Sequence, residues 1–151
     1  MSQNIQENLN LLSLPIAPEI LDNDTKEQEL KKKMLHQYRL RQYYMHRRDI
    51  YTDAIINANE KRDEFNEKWP EWEEKACTEP MVKEEWREFR DMLRNKYDII
   101  YHCMWLVEQK EKEVTKIRNI NSEIGHLKLL LLHGMTCDDS TGVRIYEYGD
   151  E

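Results

Sequence analysis

The sequence predicts an all-α protein: a long two-helix hairpin or coiled coil, elongated, with disordered or extended termini. Three observations lead there. Four glycines and four prolines in 151 residues leave too few turn-formers for a β-sandwich or an α/β enzyme. Apolar types reach 39% and charged types 35%. That is too polar for a compact sphere, where about 45–50% and about 25% are usual, yet too rich in Trp, Tyr, Ile and Leu for plain disorder. Finally, the stretch from Val82 to Leu131 places apolar residues at a spacing of 3.5, which two helices satisfy by winding around each other.

Residues 1–24 form the first region. Leu9, Leu11, Leu12, Leu14, Ile16, Ile20 and Leu21 make it apolar, and Pro15 and Pro18 forbid a continuous helix through it. An extended apolar arm is expected. Ile5, Leu9, Leu12 and Leu14 have the spacing of a leucine-rich nuclear export signal, or of anchors that dock in a partner's groove. No basic flank precedes these leucines and Glu7 stands among them, so a secretory signal is not read and residence in the cytoplasm or nucleus is expected. No apolar run has the 18 or more residues that a spanning helix needs.

The helical body is placed at 25–133, with a bend near 70–79. Asp24 or Thr25 caps its first helix, Glu27 and Glu29 favour the first turn, and no Gly or Pro follows until Pro70. The apolar stripe runs through Leu30, Tyr44, Tyr51, Phe65 and Trp72 on one row and Met34, Ile55 and Trp69 on the other, although Gln37, Arg41, Arg48, Ala58 and Arg62 also fall on it. Thr78 before Pro80 reads as the start of the second helix, which runs from about residue 81 with Gly134 as its C-cap.

In that second helix, steps of four and three from Val82 reach Trp86, Phe89, Leu93, Lys96, Ile100, Cys103, Val107, Lys110, Val114, Ile117, Asn121, Ile124, Lys128 and Leu131. Eleven of these fifteen positions are apolar. Asn121 is then either a buried polar residue that fixes register or the fraying end near Gly125. Between Ile99 and Val107 apolar groups surround the helix, including Met104 and Trp105, so burial on more than one side is expected there. The cover is either a further helix or the N-terminal arm folded back.

The expected partner interface is therefore Trp86, Phe89, Leu93, Ile100, Met104, Trp105, Val107, Val114, Ile117, Asn121 and Ile124. It would take other helical proteins or a second copy of the chain. A basic patch, Lys31, Lys32, Lys33, Arg39, Arg41, Arg47 and Arg48, lies in a stretch without acids and is interleaved with Tyr38, Tyr43 and Tyr44. Such a pattern suits an acidic protein partner, a purely solvated helix face or, alternatively, the phosphates and bases of nucleic acid. Anionic lipid would suit it too. Folding at residue 75 sets this patch against 102–119, which holds too few acids to neutralise it.

No metal, cofactor or catalytic set is read. Cys77, Cys103 and Cys137 are odd in number and far apart, and among the histidines only His133 stands at ligand spacing from a cysteine. A glycine-rich phosphate cradle is absent, and the Glu pairs at 73–74 and 84–85 read as solvated charge. Residues 134–151 form an acidic tail whose run from Val143 to Tyr148 is either disordered or an edge strand for a partner's sheet. The function expected is that of a non-enzymatic coiled-coil subunit or adaptor of a larger assembly.

Overall fold

The computed structural model describes residues 2–134. They form α1 (Ser2–Asn10), α2 (Lys26–Thr78) and α3 (Lys83–Leu132), with no strand among the described residues, and α2 packs on α3. The acidic tail, its run from Val143 to Tyr148 and Cys137 lie outside the described residues. The chain divides into two units, one of Met1–Ile50 with Glu111–Glu151 and the other of Tyr51–Lys110.

The arm is not extended throughout. Its first ten residues hold no breaker, and Ile5 and Leu9, four apart, give α1 one side to bury; both are nearly inaccessible. Only beyond Asn10 do the prolines keep the chain out of helix. That connection is tied down by Asp24, whose Oδ2 accepts from the Leu21 amide at 2.8 Å and from Lys32 Nζ at 2.6 Å, while the same ammonium donates to the Glu19 carbonyl at 2.9 Å. Thr25 starts α2. Its hydroxyl accepts from the Gln28 amide and the Gln28 side chain accepts in return from the Thr25 amide, a capping box worth about 1 kcal/mol.

The bend falls later than the sequence predicts. Pro70 lies inside α2, which continues to Thr78; the turn is at 79–82, and Thr78 closes α2 instead of opening α3, its hydroxyl donating to the Glu74 carbonyl at 2.7 Å. A proline removes one helical hydrogen bond, and the residue before it supplies the compensation. Trp69 is buried, stacked on Phe65 at 5.8 Å and Phe89 at 5.5 Å, with Lys96 Nζ 4.6 Å over its ring. Lys75 pairs with Glu85 across the turn. At the other end of α3, Gly134 takes a φ of 57° and its amide reaches the Leu131 carbonyl at 3.2 Å, as a glycine C-cap requires.

The seam of α3 is rolled by one residue from the predicted one. One expected row is kept, with Cys103, Ile117 and Ile124 buried, but the second buried row is Leu106, Glu113, Ile120 and Leu127. The expected row one position further on lies outside it: Trp86 and Val107 are about half exposed, and Leu93, Ile100, Val114 and Asn121 are half-buried. Apolar counting favours neither row decisively, because Val107, Val114 and Asn121 compete with Leu106, Glu113 and Ile120. The arginine that α2 supplies to Glu113 removes the penalty that counting alone assigns to a buried acid. On α2 the buried residues Leu30, Tyr51, Ala58 and Trp69 all lie on the expected stripe.

The two registers predict different mutational costs. Leu106→Ala, at a fully buried position, is expected to lower stability by about 2–5 kcal/mol. Val107→Ala, at 48% exposure, should stay within about 0.5 kcal/mol of the parent. Urea unfolding followed by circular dichroism separates them, and equal losses would contradict the observed seam.

Candidate partner-binding face

The predicted basic patch is largely satisfied from within its own unit. Lys31 and Lys33 pair with Glu27 and Glu29 one turn back at 2.9 and 3.0 Å, and Lys32 with Asp24. The Lys32 ammonium accordingly holds the Asp24 carboxyl below its ordinary pKa. Arg41 Nη1 donates to Asn121 Oδ1 at 3.0 Å while its guanidinium lies 4.8 Å over Tyr38. Asn121 thus sits half-buried beside the seam, as the acceptor for a cation of α2. Arg48 pairs with its neighbour Asp49. Of the seven, Arg39 alone makes no ion pair or hydrogen bond among the described residues. The tyrosines are engaged as well: Tyr43 beside Arg47 and Tyr44 beneath Lys116, 5.0 Å from its ring centre.

The seventh, Arg47, is the partner of the one charged residue that is buried among the described residues. Its Nη2 lies 3.2 Å from Glu113 Oε1, with the glutamate side chain 4% exposed and the arginine 22%. Burial by itself lowers the Arg47 pKa, and the carboxylate beside it outweighs that, leaving the guanidinium more basic than usual. Glu113 Oε2, Arg47 Nε and His36 Nδ1 are buried without hydrogen-bond partners. The pair is only half satisfied, so it selects a register more than it adds stability.

The second unit carries the uncovered surface. Leu106 and Cys103 face inward, and Trp105 meets Tyr51 edge-on at 6.3 Å. Tyr97, Tyr101 and Met104 point away, exposed by 51%, 64% and 62%, with Trp105 and Val107 exposed beside them. Neither expected cover for Ile99 to Val107 appears among the described residues. Tyr97 and Tyr101 stack on each other at 6.4 Å, which holds their rings outward on one face. Nearer the turn, Trp86, Phe89 and Leu93 line an open groove of about 630 Å³ with Lys83, Arg87 and Arg90 at its rim. Of the predicted interface residues, then, Trp86, Leu93, Ile100, Met104, Trp105 and Val107 share this face, Phe89 joins both groove and core, and Ile117 and Ile124 are spent inside the molecule.

Sequence reasoning missed a row of cations. Lys83, Arg87, Arg90 and Arg94 advance by four, three and four, so they share one side of α3; all are exposed and make no ion pair or hydrogen bond among the described residues. Their spacing was legible, but the acids at 84, 85, 88 and 91 dilute the segment to zero net charge and hide it from any scan for basic runs.

No group of three or more His, Cys, Asp or Glu among the described residues is placed to hold a metal ion, and Cys77 and Cys103 are free thiols. No helix among the described residues is long and apolar enough to cross a membrane.

Two consequences are measurable. Arg47→Ala leaves Glu113 buried and unpaired and is expected to cost the lower end of about 3–5 kcal/mol, since the arginine is partly exposed. Arg47→Met combined with Glu113→Leu should recover most of that loss in urea titrations. His102 stacks on Trp105 at 6.2 Å, and burial pushes its pKa below the usual imidazole value. The unfolded chain therefore binds the proton more readily, so stability is complete above about pH 6.5 and falls as pH drops through the lower folded value. Melting temperatures should decline between pH 7.5 and 5.5, and the decline should shrink in His102→Gln.

No family model matches the chain, and no curated protein or solved structure matches it either.

Proposed function

We propose that this chain is a non-enzymatic helical subunit or adaptor that binds a helix of another chain, either a second copy or a different protein. The binding surface is the uncovered side of α3 between Lys83 and Val107. One observation carries this reading. Tyr97, Tyr101 and Met104 stand more than half exposed on the outer side of a helix whose inner side is buried to completion at Leu106. Contiguous aromatic and thioether surface costs free energy in water, and its burial is what helix-to-helix recognition uses. The seam between α2 and α3 is already closed, so it offers a newcomer nothing. The working compartment proposed is the cytoplasm or nucleus, where reduced cysteines are the rule.

The N-terminal leucines are a weaker candidate. Ile5 and Leu9, two of the four anchors in the export-like spacing, are buried in α1, and only Leu12 and Leu14 remain reachable.

Light scattering on a sizing column tests the proposal. The purified chain is expected to run heavier than its 18.5 kDa or to hold a helical partner in fixed ratio. Tyr101→Asp combined with Met104→Asp should release it as a monomer that keeps its helical circular dichroism. A parent chain that stays monomeric, and takes up no partner in fixed ratio, would reject the reading.

A further inference from the structure

The cation row and the groove beside it say more about the partner than the aromatic face does. Lys83, Arg87, Arg90 and Arg94 are neighbours at helical spacing, so each repels the next, and none of the four makes an ion pair with an acid among the described residues. The acids at 84, 88 and 91 share a different side of α3, again by steps of four and three. On the flank of the cation row, Trp86, 49% exposed, forms with Phe89 and Leu93 an apolar trough large enough for one bulky side chain.

We infer that this stripe of α3 docks an acidic amphipathic helix of another protein, with a large apolar residue of that helix seated against Trp86 and its carboxylates along the row from Lys83 to Arg94. The inference rests on the subunit reading above and adds the chemistry of the partner. Charge complementarity decides the occupant. A helix laid along α3 meets one stripe at a time, so it can match four cations while avoiding the acid row. A nucleic acid strand is a poorer fit: residues 82–94 carry four cations and four acids, the chain as a whole carries −7, and an apolar trough offers nothing to a phosphate. A basic partner would meet the row head-on and be repelled.

Selection from a library of short random peptides displayed against the immobilised full-length chain reads that chemistry without presupposing a sequence. Enriched peptides are expected to carry Asp and Glu around a large apolar residue, and to bind more weakly as salt rises. Arg87→Glu with Arg90→Glu, both fully surface positions, should weaken them about tenfold or more, while counterparts with Lys in place of the acids gain affinity for that variant. Trp86→Ala should weaken both kinds.

Enriched peptides that are uncharged or basic would overturn the inference, as would acidic ones that bind the charge-reversed variant equally well. Preferential binding of a thymidine oligonucleotide, lost on charge reversal, would assign the row to nucleic acid instead. Uncharged apolar peptides that Met104→Asp abolishes would overturn the acidic partner and leave the subunit reading standing. No enrichment at all would overturn the acidic partner and leave the subunit reading to the light-scattering test.

Discussion

A helix packed against a single neighbour can bury only one stripe of itself, and on α3 that stripe contains Leu106 and Glu113. The rest of the molecule follows from this choice. Had the row of Val107 and Val114 turned inward, Glu113 would lie in solvent and Arg47 would have no reason to approach α3. With Leu106 inside, Glu113 is carried into the core one heptad on, and Arg47 must meet it. The register on α2 is then set, and Arg41 falls beside Asn121.

The seam also explains where charge is tolerated. Lys96 occupies a seam row, yet its stem packs while its ammonium rests over the Trp69 ring, so the charge is met by a π face. On α2 the cations near the start of the helix are quieted by acids one turn earlier, a local arrangement that needs no partner. On α3 the cations from Lys83 to Arg94 make no ion pair among the described residues, although an acid row runs beside theirs. The two segments look alike in composition and differ in pairing.

That difference marks how far the sequence could be read. Helix existence, the stripe on α2 and the glycine cap at residue 134 were legible because each depends on local chemistry and on period. The position of the turn was not: Pro70 is a strong breaker by rule, but Trp69 beside it has Phe65, Phe89 and Lys96 to pack with, and tertiary contact outweighs one missing hydrogen bond. Moving the turn from residue 75 to 79–82 moved every cross-helix pairing, which is why the basic patch was set opposite the wrong residues. The choice between two adjacent seam rows was equally closed to inspection, since a glutamate counts as an error on a buried row until its arginine is found. Met104 and Trp105 follow from an excess of apolar residues over what one seam can hide, whereas Trp86 was expected on the seam itself and instead lies half exposed beside it. The cation row was written in plain spacing and was masked by a net charge of zero.

The excess itself is the argument for a partner. Two packed helices expose the outer side of each, and a chain with nothing to bind fills that side with Glu, Lys and Gln, as most of α2 does here. Along Lys83 to Val107 the outer side of α3 instead carries Trp86, Tyr97, Tyr101 and Met104, and it does so in a chain where apolar residues are scarce. Aromatic side chains supply contact area at little cost in rotamer entropy, whereas charges beside them govern which partner approaches and in what register. Affinity and selectivity would thus be divided between adjoining rows of one helix, while the opposite rows hold the fold together. A substitution on the outer rows can then change what is bound without changing what is folded.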